Sequence, residues 1–531
     1  MRNYDVVVVG GGRAGLTCAA YLAKSGKRVL LVEKNKECGG LVNSFEHNGF
    51  VFDAGVKGLL NAGIVLPMLR QLDISLEYTR SKVSVGIQNE IIHIETKEDL
   101  ESYRNLLLRF YPESEKEVVE IIRDIKKMMK YFDVLYGIDN PVFRDLKNDF
   151  VFRQLVPWLP KFLFTIINVN RLNKPVEVYL AKKVKNRSLL DMIVQHFFKN
   201  TPTFFALGYF SLYLNYFYPK GGIGKLGEVI QKKVCELGGE IRTERRIVEV
   251  HPVRKSVKDD QGEEYGYERL VWASDLKTLY RMIAPEELPK RIQKAFCRKK
   301  EEMFRHRGND SVFTVFLEVD EPVETFQSIS HGHFFYTPSR EGMGDIARGE
   351  LENILSHFDD FSKEDVLKWS ERFLTYNTFE ISLPAIRDSG LAPEGKTGIV
   401  VSVMAEYELF KKVRQAGWLD EFVSFLEKKV VELLSRTVYP MLEQKLIHAF
   451  SFTPLDIEKR VGSSEGAIVG WAFDGNIPVV KNMLKVNDSV LTPIPDIFQA
   501  GQWVYSPSGV PMAILTGKIA VQRVMNSLRK K

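Results

Sequence analysis

At 531 residues the chain is too long for one compact core, so two or more domains are expected. Its composition, 45% hydrophobic and 27% charged without a low-complexity tract, excludes a disordered or fibrous protein. A net charge of +6, with basic residues spread rather than clustered, argues against nucleic-acid binding. The same weak basicity suits an anionic membrane surface. Cys18, Cys38, Cys235 and Cys297 are scattered, with neither metal-ligand spacing nor a disulfide framework, as in a reducing compartment. No metal site is expected. Met1 runs almost directly into the first strand, leaving no room for a signal peptide, and no long apolar run marks a membrane span. The expectation is a cytoplasmic protein, free or peripheral on the inner face of a membrane.

The chain opens on its most informative stretch, residues 4–33. Val6–Val9 form the continuous apolar run of a parallel strand buried on both faces. Gly10, Gly12 and Gly15 follow in G-x-G-x-x-G spacing, with Arg13 and Ala14 between the last two. A helical pattern, a stop at Gly26 and a second apolar run, Val29–Val32, lead to Glu33 and Lys34. Gly10 permits the tight turn, Gly12 lets backbone approach a pyrophosphate, and Gly15 lets the helix pack closely on the strand. The helix N-terminus offers free N–H groups and a positive dipole end to phosphates. Glu33, at the tip of the second strand, suits an adenosine ribose. Together these predict dinucleotide binding.

Next come Cys38-Gly39-Gly40-Leu41, then an Asn48-Gly49 turn joining predicted strands Ser44–His47 and Phe50–Asp53. Asp53-Ala54-Gly55 closes the hairpin with a glycine suited to close approach of a ligand. This order of motifs resembles the FAD-dependent family of phytoene desaturases, carotenoid isomerases, retinol saturases and, more distantly, amine oxidases. Lys57, just beyond the F-D-A-G segment, is the one candidate catalytic residue, facing the flavin. His47, His93 and His448 are isolated and read as structural.

A helix is predicted at Ile64–Leu72, strands within Val83–Ile94, and helices with a charged face at Glu98–Arg109 and Glu113–Lys130. Val151–Arg171 mixes Phe, Trp158, Leu and Ile with Arg153, Lys161 and Arg171, and Pro157 and Pro160 interrupt it. It suits either a headgroup-zone segment or a helix lining a hydrophobic core or tunnel. Phe197–Tyr218 holds ten aromatic residues in twenty-two positions, a density that suits the wall of an elongated apolar site.

Tyr218-Pro219-Lys220-Gly221-Gly222, a helix from Leu226 to about Leu237, and strands within Glu240–His251 form a second signature of the same family. There the resemblance implies that the backbone at Val248 contacts the adenine. A hairpin over a polar 256–266 turn returns to Leu270–Asp275. From about 300 to 455, period-two runs at Val312–Val319, His333–Thr337, Arg372–Leu383 and Gly398–Ala405 alternate with helices at 364–371 and 416–434. They predict a mainly antiparallel sheet. The last motif, Ile497–Trp503, holds Gly501 and Gln502, and a helix from Gly509, Val510, Pro511 and Met512 to about Val524 follows. Its N-terminus suits negative charge on a reduced flavin. The family usually places an acid where Gln502 stands; an amide can bond the same ribityl hydroxyls.

The resemblance implies FAD rather than NAD. It implies an α/β Rossmann-type, glutathione-reductase-like FAD domain built from 1–78, 219–300 and 455–531. The implied α+β substrate domain comprises 79–218 and 301–454, with 151–218 interfacial or tunnel-lining. The expected activity is hydride transfer between flavin N5 and a C–C bond of a lipophilic carotenoid-like or isoprenoid substrate, with desaturation favoured. Saturation or cis–trans isomerisation of a polyene, an amine oxidase-like reaction, and a prenyl-binding chaperone of the GDP-dissociation-inhibitor type remain the alternatives.

Overall fold

A computed structural model describes residues 2–144 and 148–529; the expectation about Met1, and the parts of the predicted domains at 145–147 and 530–531, lie outside them. Arg2–Val9 lies at the centre of the first sheet. Val29–Val32 and Glu264–Trp272 flank it in parallel, Glu240–Arg242 extends one side, and Ile497–Gln499 pairs with the end of Glu264–Trp272 on the other. Ser256–Asp259 and Ile247–His251 add an antiparallel ribbon. Both faces are covered, which is why these strands read as unbroken apolar runs. Val6, Val8, Leu31 and Val271 pack into one core, and Val7, Leu30, Leu270 and Trp272 into another. Helices Arg13–Lys24, Lys225–Glu236 and Val510–Arg529 supply the first of these cores.

The second sheet runs Leu446–Phe452, Ser311–Val319, Thr397–Ala405, Phe379–Ser382, His333–Thr337, Val83–Ile87, Glu90–Ile94. All its pairings are antiparallel except the one between His333–Thr337 and Val83–Ile87. One face, carrying Phe313, Val315, Ile381 and Val401, packs on the helical core that includes Trp369, Phe422 and Val430. The other face looks towards the first sheet. There Phe316 and Val400 meet Phe50 and Phe52 of the hairpin, with Phe45, Phe450 and Phe452 around them. Helices between 100 and 213 form a further core, with Leu107, Ile121, Met128 and Phe210 inside it, and cap one end of this sheet.

Three predicted elements differ. Arg372–Leu383 is not one strand: helix Lys363–Tyr376 runs through Arg372, and only Phe379–Ser382 is extended. A capping box between Ser362 and Asp365 starts that helix, and Val366, Trp369 and Leu374 give it a buried face. The polar 256–266 turn is shorter, because Val257 and Tyr265 are fully buried and extend paired strands into it. The helix predicted at 416–434 begins at Leu419 and ends at Thr437, set off from helix Tyr407–Gln415 by Gly417 at φ 83°. The hairpin Ser44–His47 to Phe50–Asp53 forms with its predicted ends, with Asn48 and Gly49 at φ 51° and 83°.

Phe316 is fully buried and stacks on Phe450 with ring centroids 5.0 Å apart. We expect Phe316→Ala to lower unfolding free energy by about 3–5 kcal/mol, measured by urea denaturation.

Candidate active site

The glycine turn is shaped by contact. A Cβ on Gly15 would lie 1.8 Å from the Gly10 carbonyl oxygen, so no other residue lets the helix start so close to the strand. Helix Arg13–Lys24 has no side-chain cap at Gly12, which leaves its first N–H groups for a ligand. Glu33 is held at the strand tip by two backbone donors, Gly11 N to Oε2 at 2.6 Å and Asn35 N to Oε1 at 2.9 Å. The Gly39–Gly40 turn lies against this corner, with Gly39 N donating to Gly11 O at 3.0 Å.

Arg13 is buried, donates to Val42 O and, at 3.5 Å, to Gly224 O, and leaves Nε and Nη1 without hydrogen-bond partners. Burial draws its guanidinium down to about 10, still cationic at neutral pH. On the far side, Gly501 sits at φ 106° with its N–H donating to Thr516 Oγ1 at 3.0 Å. Gly509 and Val510, at the start of the last helix, share the cleft wall with the first glycine turn.

Asp53 joins the hairpin to the re-entering chain. It is fully buried; Oδ1 accepts from Ser44 Oγ at 2.8 Å and Ile223 N at 3.0 Å, and Oδ2 from Tyr218 OH at 2.7 Å. Arg387 lies over the Tyr218 ring, 3.9 Å from its centroid, and donates to Lys57 O at 2.5 Å. That contact fixes the loop carrying Lys57.

From the glycine turns the cleft continues between the two sheets. Its roof is aromatic, with Phe197, Phe205, Tyr209 and Tyr216 from the 196–216 segment. Its floor is the inner face of the second sheet, carrying Thr314, Ser402, Glu380, Thr378 and His333. His333 Nε2 donates to Glu380 Oε1 at 2.8 Å. Burial alone would raise the Glu380 carboxyl, but that hydrogen bond and the charge of Lys57 hold it below its ordinary value. A third of its side-chain surface is open, and the opening is to the cleft. Burial lowers the Lys57 ammonium, against the pull of Glu380 and Asp53, and lowers His196 to about 4.

The structure brings together in the cleft wall Gly10, Gly12, Arg13, Ala14, Glu33, Gly39, Gly40, Leu41, Gly55, Lys57, Gly501, Gln502, Gly509 and Val510. Gly15, Pro511 and Met512 stand just behind it, and Lys34 turns away to donate to Lys459 O at 3.0 Å. Val248 is not among the residues lining the cleft; its side chain is 39% exposed and that of Ile247 is buried. Helix Val156–Arg171 is not among the elements lining this cleft. His47 and His93 have structural partners, Glu318 Oε1 at 2.5 Å and Ser84 Oγ at 2.9 Å, and His448 stacks on His47. Glu380, His333 and His196 were not singled out in the sequence. The one signal there was polar residues at alternate positions of otherwise apolar strands. Among the described residues no cluster of His, Cys, Asp or Glu suits a metal ion.

These features fit FAD: an uncapped helix end, the unneutralised Arg13, the anchored Glu33 and a second helix start at Val510. The sequence profile of the family described as flavin containing amine oxidoreductase matches residues 13–525. An all-trans-retinol 13,14-reductase of Danio rerio is 22% identical over 551 residues, covering 94% of this chain and 82% of that protein. A 4,4'-diapophytoene desaturase of Staphylococcus aureus (strain COL) is 22% identical over 558 residues, covering 99% of each. The solved structure of cyclohexylamine oxidase from Brevibacterium oxydans IH-35A superposes with a TM-score of 0.59 at 13% identity, covering 99% of both chains.

Two outcomes follow from this geometry. Glu33→Ala should weaken FAD binding about tenfold or more, read as the Kd from quenching of FAD fluorescence by apoprotein. His196, with its imidazole lowered to about 4 in the fold against an ordinary 6.5, resists protonation that the unfolded chain accepts. Stability should therefore fall as pH drops from 7 to 5, by about 1–2 kcal/mol from this residue. His196→Phe should flatten that part of the urea-denaturation profile.

Proposed function

The chain belongs to the family of flavin containing amine oxidoreductases, and from that premise we propose that it oxidises a C–C bond of a lipophilic carotenoid-like or isoprenoid substrate. The chain is an FAD-dependent oxidoreductase. The observation that carries the substrate reading is the continuity of the cleft from the glycine turns to the aromatic roof of Phe197, Phe205, Tyr209 and Tyr216. Such a roof holds an extended apolar chain and keeps water from the reacting bond.

Bound FAD supplies a two-electron acceptor for the hydride that a desaturation releases. The adjacent proton leaves to a base or to water. Arg387 fixes the backbone of Lys57, so the lysine orients the substrate from the loop that also borders the cofactor. An amine substrate is disfavoured because Lys57 places a second ammonium in the same chamber. The relatives named for retinol reduction and diapophytoene desaturation support the lipophilic class and lie on both sides of the direction of reaction.

Helix Val156–Arg171 suits delivery of such a substrate. Phe152, Val156, Leu159, Leu163, Phe164 and Ile167 are 44–68% exposed and recur at helical spacing, with Arg153, Lys161 and Arg171 beside them. An apolar stripe edged by basic residues fits the headgroup region of an anionic bilayer. Among the described residues no helix is long and apolar enough to cross a membrane.

Anaerobic mixing of the holoprotein with a phytoene-like polyene should bleach the visible flavin absorbance and yield a product with an added double bond. No bleaching with any polyene tested, in either direction, would sink the reading. Replacing Phe152 and Phe164 together by Glu should reduce co-sedimentation with phosphatidylglycerol vesicles at least severalfold while FAD content holds.

A further inference from the structure

The floor of the cleft carries polar residues beside Phe335, where a hydrocarbon alone would need none. Thr314, Ser402 and Glu380 sit side by side on adjacent strands, since Thr314 pairs with Ser402 and Ser402 with Glu380. The two hydroxyls bond each other at 2.9 Å and are satisfied. Glu380 is not: His333 occupies Oε1, and no protein donor reaches Oε2 among the described residues. Lys57 lines the same cleft, is 2% exposed, and has no hydrogen-bond or close ion-pair partner there; Glu380 acts on it only through space. His196 Nε2, also in the cleft wall, is buried without a partner.

An ammonium and a carboxylate facing one chamber without touching is an expensive arrangement. Lys57 is buried without a partner and Glu380 is satisfied at one oxygen only, so contact between the two would stabilise both. The chain instead pins the Lys57 backbone through Arg387 and the Glu380 carboxylate through His333, so the two are held apart. A hydrocarbon leaves both unsatisfied. A carboxylate would accept from Lys57 but stand beside Glu380, and an ammonium would meet Glu380 but stand beside Lys57. A hydroxyl accepts from one and donates to the other.

We propose that Lys57 and Glu380 form a headgroup subsite for a neutral hydroxyl carried on an apolar, isoprenoid-like chain. The subsite deepens the lipophilic-substrate reading and rests on it. The chain lies under the aromatic roof, and the hydroxyl bridges the two charges. His333 and Arg387 are positioning residues: His333 orients the Glu380 carboxylate and Arg387 holds the backbone of Lys57.

The test compares four ligands with one chain and different ends: geranylgeraniol, geranylgeranoic acid, geranylgeranylamine and the corresponding hydrocarbon. Each is titrated into the FAD-loaded protein, and binding is read from quenching of tryptophan fluorescence. The alcohol should bind about tenfold more tightly than the other three. Glu380→Gln, which removes the negative charge, should bring the acid towards the alcohol. Lys57→Met should remove the advantage of the alcohol over the hydrocarbon and bring the amine closer. A role that merely supported the fold would weaken all four alike, and that result overturns the subsite. So does equal binding of alcohol and hydrocarbon, or loss of FAD on Lys57→Met, which would assign the lysine to the cofactor. Failure of all four to bind overturns the lipophilic reading as well. Reduction of the flavin by a polyene hydrocarbon, together with no headgroup preference, overturns the subsite alone.

Discussion

The site depends on one buried carboxylate. Asp53 has no access to solvent, and an ionised group in that position is tolerable only when its lone pairs are filled. Its donors are Ser44, nine positions away, and Tyr218 and Ile223, 165 and 170 positions away. The loop that carries Gly55 and Lys57 therefore cannot close until the chain returns at Tyr218. Gly224 N donates to Ser44 Oγ at 2.8 Å, which fastens the same junction a second time. Arg387 extends the linkage to the second sheet by lying over Tyr218 and donating to Lys57 O. The Gly55–Lys57 loop, the re-entry segment and the second sheet thus share one set of polar contacts. Removal of any partner leaves a buried charge uncompensated.

This linkage explains why some of the site was legible in the sequence and some was not. Strand Arg2–Val9, its glycine turn and helix Arg13–Lys24 obey local rules: an apolar run, a turn that only glycine fits, and an uncapped helix start. The Asn48-Gly49 hairpin is equally local. Glu380, His333 and His196 carry no such signal. His333 and Glu380 lie 47 positions apart and meet because strand His333–Thr337 pairs with Phe379–Ser382 in one register. A shift of one residue in either strand would turn its member of the pair to the other face. At 372–383 the side-chain pattern admitted a strand, and the Ser362 cap with its buried helical face decided for a helix as far as Tyr376.

The polar floor of the cleft is the clearest sign that the second sheet serves more than folding. Its alternation sends Phe313, Val315, Ile381 and Val401 into a dry helical core and Thr314, Glu380 and Ser402 into the cleft. Near the hairpin the same face carries Phe316 and Val400, which pack on Phe50 and Phe52, and Glu318, which bonds His47 and Asn48. The sheet can therefore offer an apolar surface on that side. Apolar residues at 314, 380 and 402 would serve stability at least as well, since a buried, incompletely paired charge is no gain to the fold. The roof, in contrast, is aromatic throughout Phe197, Phe205 and Tyr209. A cleft with one apolar wall and one hydrogen-bonding wall discriminates along the length of its ligand: the chain is recognised by area and the end by charge. Area alone separates close homologues weakly, whereas an unfilled Lys57–Glu380 pair penalises a ligand without the matching group.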